Sequence, residues 1–135
     1  MDINDIQTGF TDETEPQDEH LTELLKQAYT GKILCTMAVA DLAAIQPFSD
    51  YQPKISEKYR IHFKQQAQDN VPPSLYVYAK DGKLIMSDDY ASFALYKELG
   101  FPKAVCTVIG ETPEIEGVVY HGTPFELPPP TVEEL

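Results

Sequence analysis

Leu21, Leu24, Leu25 and Ala28 fall on one stripe of helical spacing. They predict a helix from Asp18 or Glu19 to about Tyr29, with acidic residues at its start to suit the helix dipole and Gly31 as its stop. At Ile33 the period drops to two. Ile33, Cys35, Met37 and Val39 share one face of a predicted strand and Leu34, Thr36 and Ala38 the other. Both faces are apolar, which suits an interior strand. Asp41 to Ile45 reads as a short helical turn ended by Pro47, and residues 48–53 as a loop. Ile55, Tyr59, Phe63 and Ala67 then recur every four residues. They predict a second helix that begins between Pro53 and Ser56, closes at Asp69-Asn70 and is barred from continuing by Pro72-Pro73.

The sharpest pattern runs from Pro72 to Gly110. Leu75–Ala79 and Lys83–Ser87 flank Lys80-Asp81-Gly82, and Asp-Gly between alternating runs is a strong hairpin signal because both residues tolerate positive φ. Alternation points Leu75 and Val77 one way and Tyr76 and Tyr78 the other. A third helix follows from about Asp89 to Leu99, capped by Ser87 or Asp88 and released at Gly100, with Pro102 beyond it. Val105–Ile109 is a further strand, and Gly117–Tyr120 a short one. The sum is a single α/β (α+β-like) domain at residues 18–122: a small mixed β-sheet with about three helices. Residues 1–17 read as an acidic mobile tail and residues 123–135 as a proline-rich, acidic, extended one.

Charge narrows the functional classes. The 135 residues carry 22 Asp and Glu against ten Lys and Arg, a net charge of −12. Nucleic acid and anionic membrane are therefore not expected as partners. The acidity serves solubility, and it also suits something positive: a basic protein or a divalent cation. Cys35 and Cys106 lie in apolar runs without zinc-type spacing, so they are expected as reduced core thiols. Neither a leader-like segment nor a membrane-spanning run is read, and cytoplasmic placement follows by default.

The order from Ile33 to Gly110 resembles the ParB N-terminal/sulfiredoxin-like domain. The residues that carry the resemblance are Asp41 through Ile45, Pro72-Pro73 before the strand LYVYA, Asp81-Gly82, Ala94, Leu99-Gly100 and the closing strand AVCTVIG. The resemblance implies the family's fold, and in the family a G-x-x-R loop binds phosphate at the start of the third helix. Here those positions fall on Asp88, Asp89, Tyr90 and Ala91. Glycine would let the backbone approach phosphate and arginine would supply a charged fork. Two carboxylates instead cap the helix and repel nucleotide, at roughly 1–4 kcal/mol for like charges about 4 Å apart near a surface. The family's cysteine in that loop is absent as well. Nucleotide chemistry of the family type is thus not expected, and the domain reads as a degenerate member.

Asp88 and Asp89 also raise the chemistry of calcium, which takes six to eight oxygen ligands. No EF-hand pattern accompanies them, and no cofactor is expected beyond this Ca²⁺ alternative. Tyr76, Tyr78 and Tyr90 are candidate interaction residues if the sheet face that carries the first two is open; a core layer under a helix is the plainer reading. His20, His62 and His121 have no catalytic partner at a telling spacing. The expected function is a non-catalytic, acidic regulatory or interaction module that binds a basic protein. An acidic calcium-binding protein and a nucleotide-dependent enzyme of the family stay open as alternatives.

Overall fold

The computed structural model describes residues 16–70 and 72–128. Among them the chain forms α1 (Glu19–Tyr29), β1 (Cys35–Asp41), a 3₁₀ turn (Leu42–Ala44), β2 (Ile45–Pro47), α2 (Glu57–Gln68), β3 (Leu75–Lys80), β4 (Lys83–Met86), α3 (Tyr90–Glu98), β5 (Lys103–Ile109) and β6 (Val118–Phe125). The six strands make one mixed sheet in the order β2-β4-β3-β5-β1-β6. The β2–β4 and β3–β5 pairs are parallel, and the other three are antiparallel. The mixed α/β architecture matches the expectation. No described helix is long and apolar enough to cross a membrane.

Strand alternation divides the core into two layers. Leu75, Val77, Leu84, Met86, Ala104, Cys106 and Val108 face α2 and α3, where they meet Phe63, Phe93, Leu95 and Tyr96. Tyr78, Ile85, Ile109 and Cys35 face α1, where they meet Leu21 and Ala28. Tyr96 anchors the first layer twice over: its ring meets Phe63 edge-on at 5.2 Å, and its hydroxyl donates to the Pro73 carbonyl at 2.8 Å. On the outside of that layer Arg60 forks onto Glu98 at 2.8 and 3.1 Å, tying α2 to α3. The hairpin turn forms as predicted, with Asp81 and Gly82 at φ 51° and 78°. Gly117 is required by a close approach, because a Cβ there would stand 2.7 Å from Asp41 Oδ2.

Four expectations need correction. β1 starts at Cys35, not Ile33, and runs on to Asp41 because β5 pairs with it through Lys103. The Asp41–Ile45 turn is shorter than predicted and gives way to a strand, β2, which lies parallel to β4 and extends that pairing with a Phe48 N–H bond to the Met86 carbonyl at 2.7 Å. The third helix is capped by Asp89, not by Ser87 or Asp88. Finally, β6 extends to Phe125 despite Gly122 and Pro124, which an edge strand tolerates, and Leu127 is buried in the α1 layer. The sheet thus takes up residues from the segment read as a tail. The rest of the two expected tails, residues 1–15 and 129–135, lies outside the described residues.

Candidate functional site

The loop at residues 87–89 joins β4 to α3, and its geometry is set by Asp89. The residue adopts a left-handed conformation, φ 67° and ψ 55°, which aspartate tolerates better than most side chains. Its Oδ1 accepts the Ser92 N–H at 3.1 Å, three positions into the helix, and its Oδ2 accepts the Ser92 hydroxyl at 2.7 Å. Tyr59 arrives from α2 and donates its hydroxyl to Asp89 Oδ1 at 3.3 Å, while also contacting the Ser92 hydroxyl. Burial pushes the Tyr59 phenol up, and the Asp89 charge adds to that push. Ser92 is fully buried, so this network is a closed latch between α2 and α3.

The neighbouring loop residues have different surroundings. Ser87 turns its hydroxyl inward, where Oγ has no hydrogen-bond partner among the described residues, and so does not cap the helix. The Asp88 side chain is exposed, yet neighbouring protein partly desolvates its carboxyl. That desolvation, ahead of the Asp89 charge, holds its carboxyl above the usual aspartate range. The start of α3 is further covered by the 48–53 loop, whose Tyr51 ring meets Tyr90 edge-on at 5.5 Å. A hollow of about 80 Å³ remains between that loop and α3, walled by Pro53, Tyr90, Phe93 and Lys97. Asp88 and Asp89 are thus adjacent but unlike: one carboxylate is engaged inside the protein and the other stands at the surface. No group of three or more His, Cys, Asp or Glu suited to a metal ion occurs among the described residues.

The three candidate tyrosines are not brought together. Tyr76 and Tyr78 lie in the layer beneath α1, Tyr76 half-buried and Tyr78 only 4% exposed. Tyr90 is 3% exposed in the opposite layer. Tyr78 has instead a structural partner. Asp18 caps α1 by accepting the His20 and Leu21 N–H groups on Oδ1, and Tyr78 donates its hydroxyl to Asp18 Oδ2 at 2.6 Å. Burial, ahead of this bond, pushes the Tyr78 phenol well above its ordinary range. The His20 ring packs edge-on against Tyr78 at 4.7 Å. His62 and His121 are exposed.

Cys35 and Cys106 occupy neighbouring strands, yet they lie in different layers and three positions apart in register: Cys35 opposes Ile109, and Cys106 opposes Ala38. Both thiols are free and buried. Desolvation raises the Cys35 pKa and pushes that of Cys106 up to about 12.

Two groupings escaped the sequence reading. Asp18 and Tyr78 are sixty residues apart, and no local pattern pairs them. The Asp89–Ser92 cap did leave a signal, an acid three positions before a serine at a helix start, but the contribution of Tyr59 did not.

No protein-family model matches the chain, and neither does any curated protein. Among solved structures the chain is similar to sulfiredoxin from Arabidopsis thaliana, at a TM-score of 0.48 and 13% identity, over 56% of this chain and 85% of that one.

Proposed function

We propose that the chain is a non-catalytic interaction module whose acidic surface receives a basic protein segment, its carboxylates standing in for phosphates. The observation that carries this reading is the start of α3. There the Asp89 carboxylate accepts the Ser92 N–H and the Ser92 and Tyr59 hydroxyls, which puts a negative charge where an anion would otherwise bind. The exposed acids support it. Glu111, Glu114 and Glu116 lie within six residues on the β5–β6 connection, and Asp88 and Asp81 are exposed elsewhere.

Thermal unfolding at fixed ionic strength tests the reading against its competitors, with Ca²⁺, Mg²⁺, Mg²⁺ with ATP or CTP, and an arginine-rich peptide as additions. A ligand at a hundred times its Kd adds about 2.7 kcal/mol. The expected result is a rise in Tm with the peptide alone, lost at high salt and reduced when Glu111, Glu114 and Glu116 are changed to glutamine. A rise with nucleotide would sink the proposal. A rise with Ca²⁺ alone would replace it with the calcium-binding reading, and Asp88→Asn would then be the next variant.

A further inference from the structure

The two edges of the sheet are unlike. At one edge β2 is three residues long and ends in Pro47. At the other β6 is eight residues long, and among the described residues no strand pairs with its outer side. Asp41 donates its N–H to the Gly117 carbonyl at 2.8 Å. Alternation from that bond turns the backbone groups of Val119 and His121 towards β1 and leaves the Tyr120 N–H and C=O pointing outward. The outward N–H of Val118 is taken by the Ile115 carbonyl at 3.1 Å, and Pro124 has none. The open stretch is therefore short and centred on Tyr120. Edge strands are commonly guarded by lysine, and β6 carries neither lysine nor arginine.

The two faces of β6 also differ. Val118 and Tyr120 pack on the layer of α2 and α3. On that face the β5–β6 connection is tied down, because Ile115 is buried and the Tyr120 hydroxyl donates to the Pro113 carbonyl. Glu114 lies between those two anchors and Glu116 just beyond them, both exposed. The opposite face presents Val119, 56% exposed, next to the half-buried Val39 across the strand pair. Glu111, Glu114, Glu116 and Glu126 flank β6 in the sequence with no basic residue among them other than His121, and none of the four joins an ion pair among the described residues.

We propose that the β6 edge takes an extended segment of a basic protein as an added strand, with basic side chains on the face of Glu114 and apolar ones beside Val119. This rests on the basic-partner reading above and adds to it a place and a sequence pattern. The open backbone supplies pairing that any extended chain can use, and side chains of period two supply the selection. The unpaired acids favour a basic strand over a second copy of this acidic chain.

The test uses the full-length protein and two capped hexapeptides of equal charge, Lys-Val-Lys-Val-Lys-Val and its block isomer Lys-Lys-Lys-Val-Val-Val. The alternating peptide should bind severalfold tighter by calorimetry and should slow hydrogen exchange at the Tyr120 amide. N-methylation of alternate amides, which leaves the charge untouched, should abolish binding in one phase and spare it in the other. Val119→Gln, at an exposed position outside both core layers, should weaken the alternating peptide severalfold and leave the block isomer unchanged. Equal affinity for the two peptides with no change at Tyr120 would overturn the added strand while leaving the acidic-surface reading intact. Failure of these peptides and of the arginine-rich peptide alike would sink both. A Tyr120 amide already protected in the free chain would also overturn the proposal: the edge would then be held by the chain's own terminal segments or, if protection falls on dilution, by a second copy.

Discussion

Asp89 holds three donors with two oxygens, so its replacement tests the latch directly. Loss of a helix cap costs about 1 kcal/mol, and stripping a charged acceptor from buried hydroxyls adds roughly another 1–3 kcal/mol. Asp89→Ala should therefore lower the urea-unfolding free energy by about 2 kcal/mol or more. Asp89→Asn should lose less, since asparagine also tolerates left-handed backbone and keeps one acceptor oxygen. Asp88 works in the opposite sense. A carboxyl held above its unfolded pKa binds more protons in the folded state, so stability falls as pH rises from the ordinary aspartate range through the raised value. Asp88→Asn should raise Tm at neutral pH and have no such benefit below the ordinary aspartate range. The two thiols give a third test. Buried, with raised pKa values, neither should react with a thiol reagent in the native protein at pH 8, and both should react in denaturant. At this scale the sequence showed which residues are apolar and which are charged. It did not show that the second aspartate of a pair is the one turned inward, because that depends on a left-handed backbone and on Tyr59 from another helix.

Elements were legible where their signal is local. The α1 stripe, the every-fourth-residue face of α2 and the Asp81-Gly82 hairpin depend on neighbours in the chain, and the structure places all three close to where the pattern does. β2 was not legible: it is three residues long, ends in proline, and exists because β4 offers it an edge. The length of β6 was hidden for a similar reason, since Gly122 and Pro124 argue against a strand unless its outer side is free. The attachment of α1 was equally invisible, because Asp18 and Tyr78 meet only after the sheet forms. A double-mutant cycle with Asp18→Ala and Tyr78→Phe measures that attachment. Hydrogen bonds to charged groups contribute roughly 1.5–3 kcal/mol, and the cycle should return a coupling of that order. A coupling near zero would mean that apolar contacts alone seat the helix.

For the whole molecule, the distribution of charge matters more than its total. Residues 1–15 and 129–135 hold seven of the 22 acids and none of the ten basic residues. Self-repulsion across the chain opposes compactness and is screened by salt. Tm should therefore rise as sodium chloride increases from a few millimolar towards physiological strength, and less so in a chain without the two terminal segments. The sheet order has a consequence in time as well as in space. β1, the first strand to be made, pairs with the last two, β5 and β6, while β2, β3 and β4 assemble with one another and join β1 only through β5. A ribosome that has released residues 35–100 has released a first strand with no partner yet exposed. The α1 layer waits longer still, because it closes on Leu127. A message truncated before β5 would therefore yield a chain with an apolar strand and nothing to pair it, a substrate for holding chaperones and proteases.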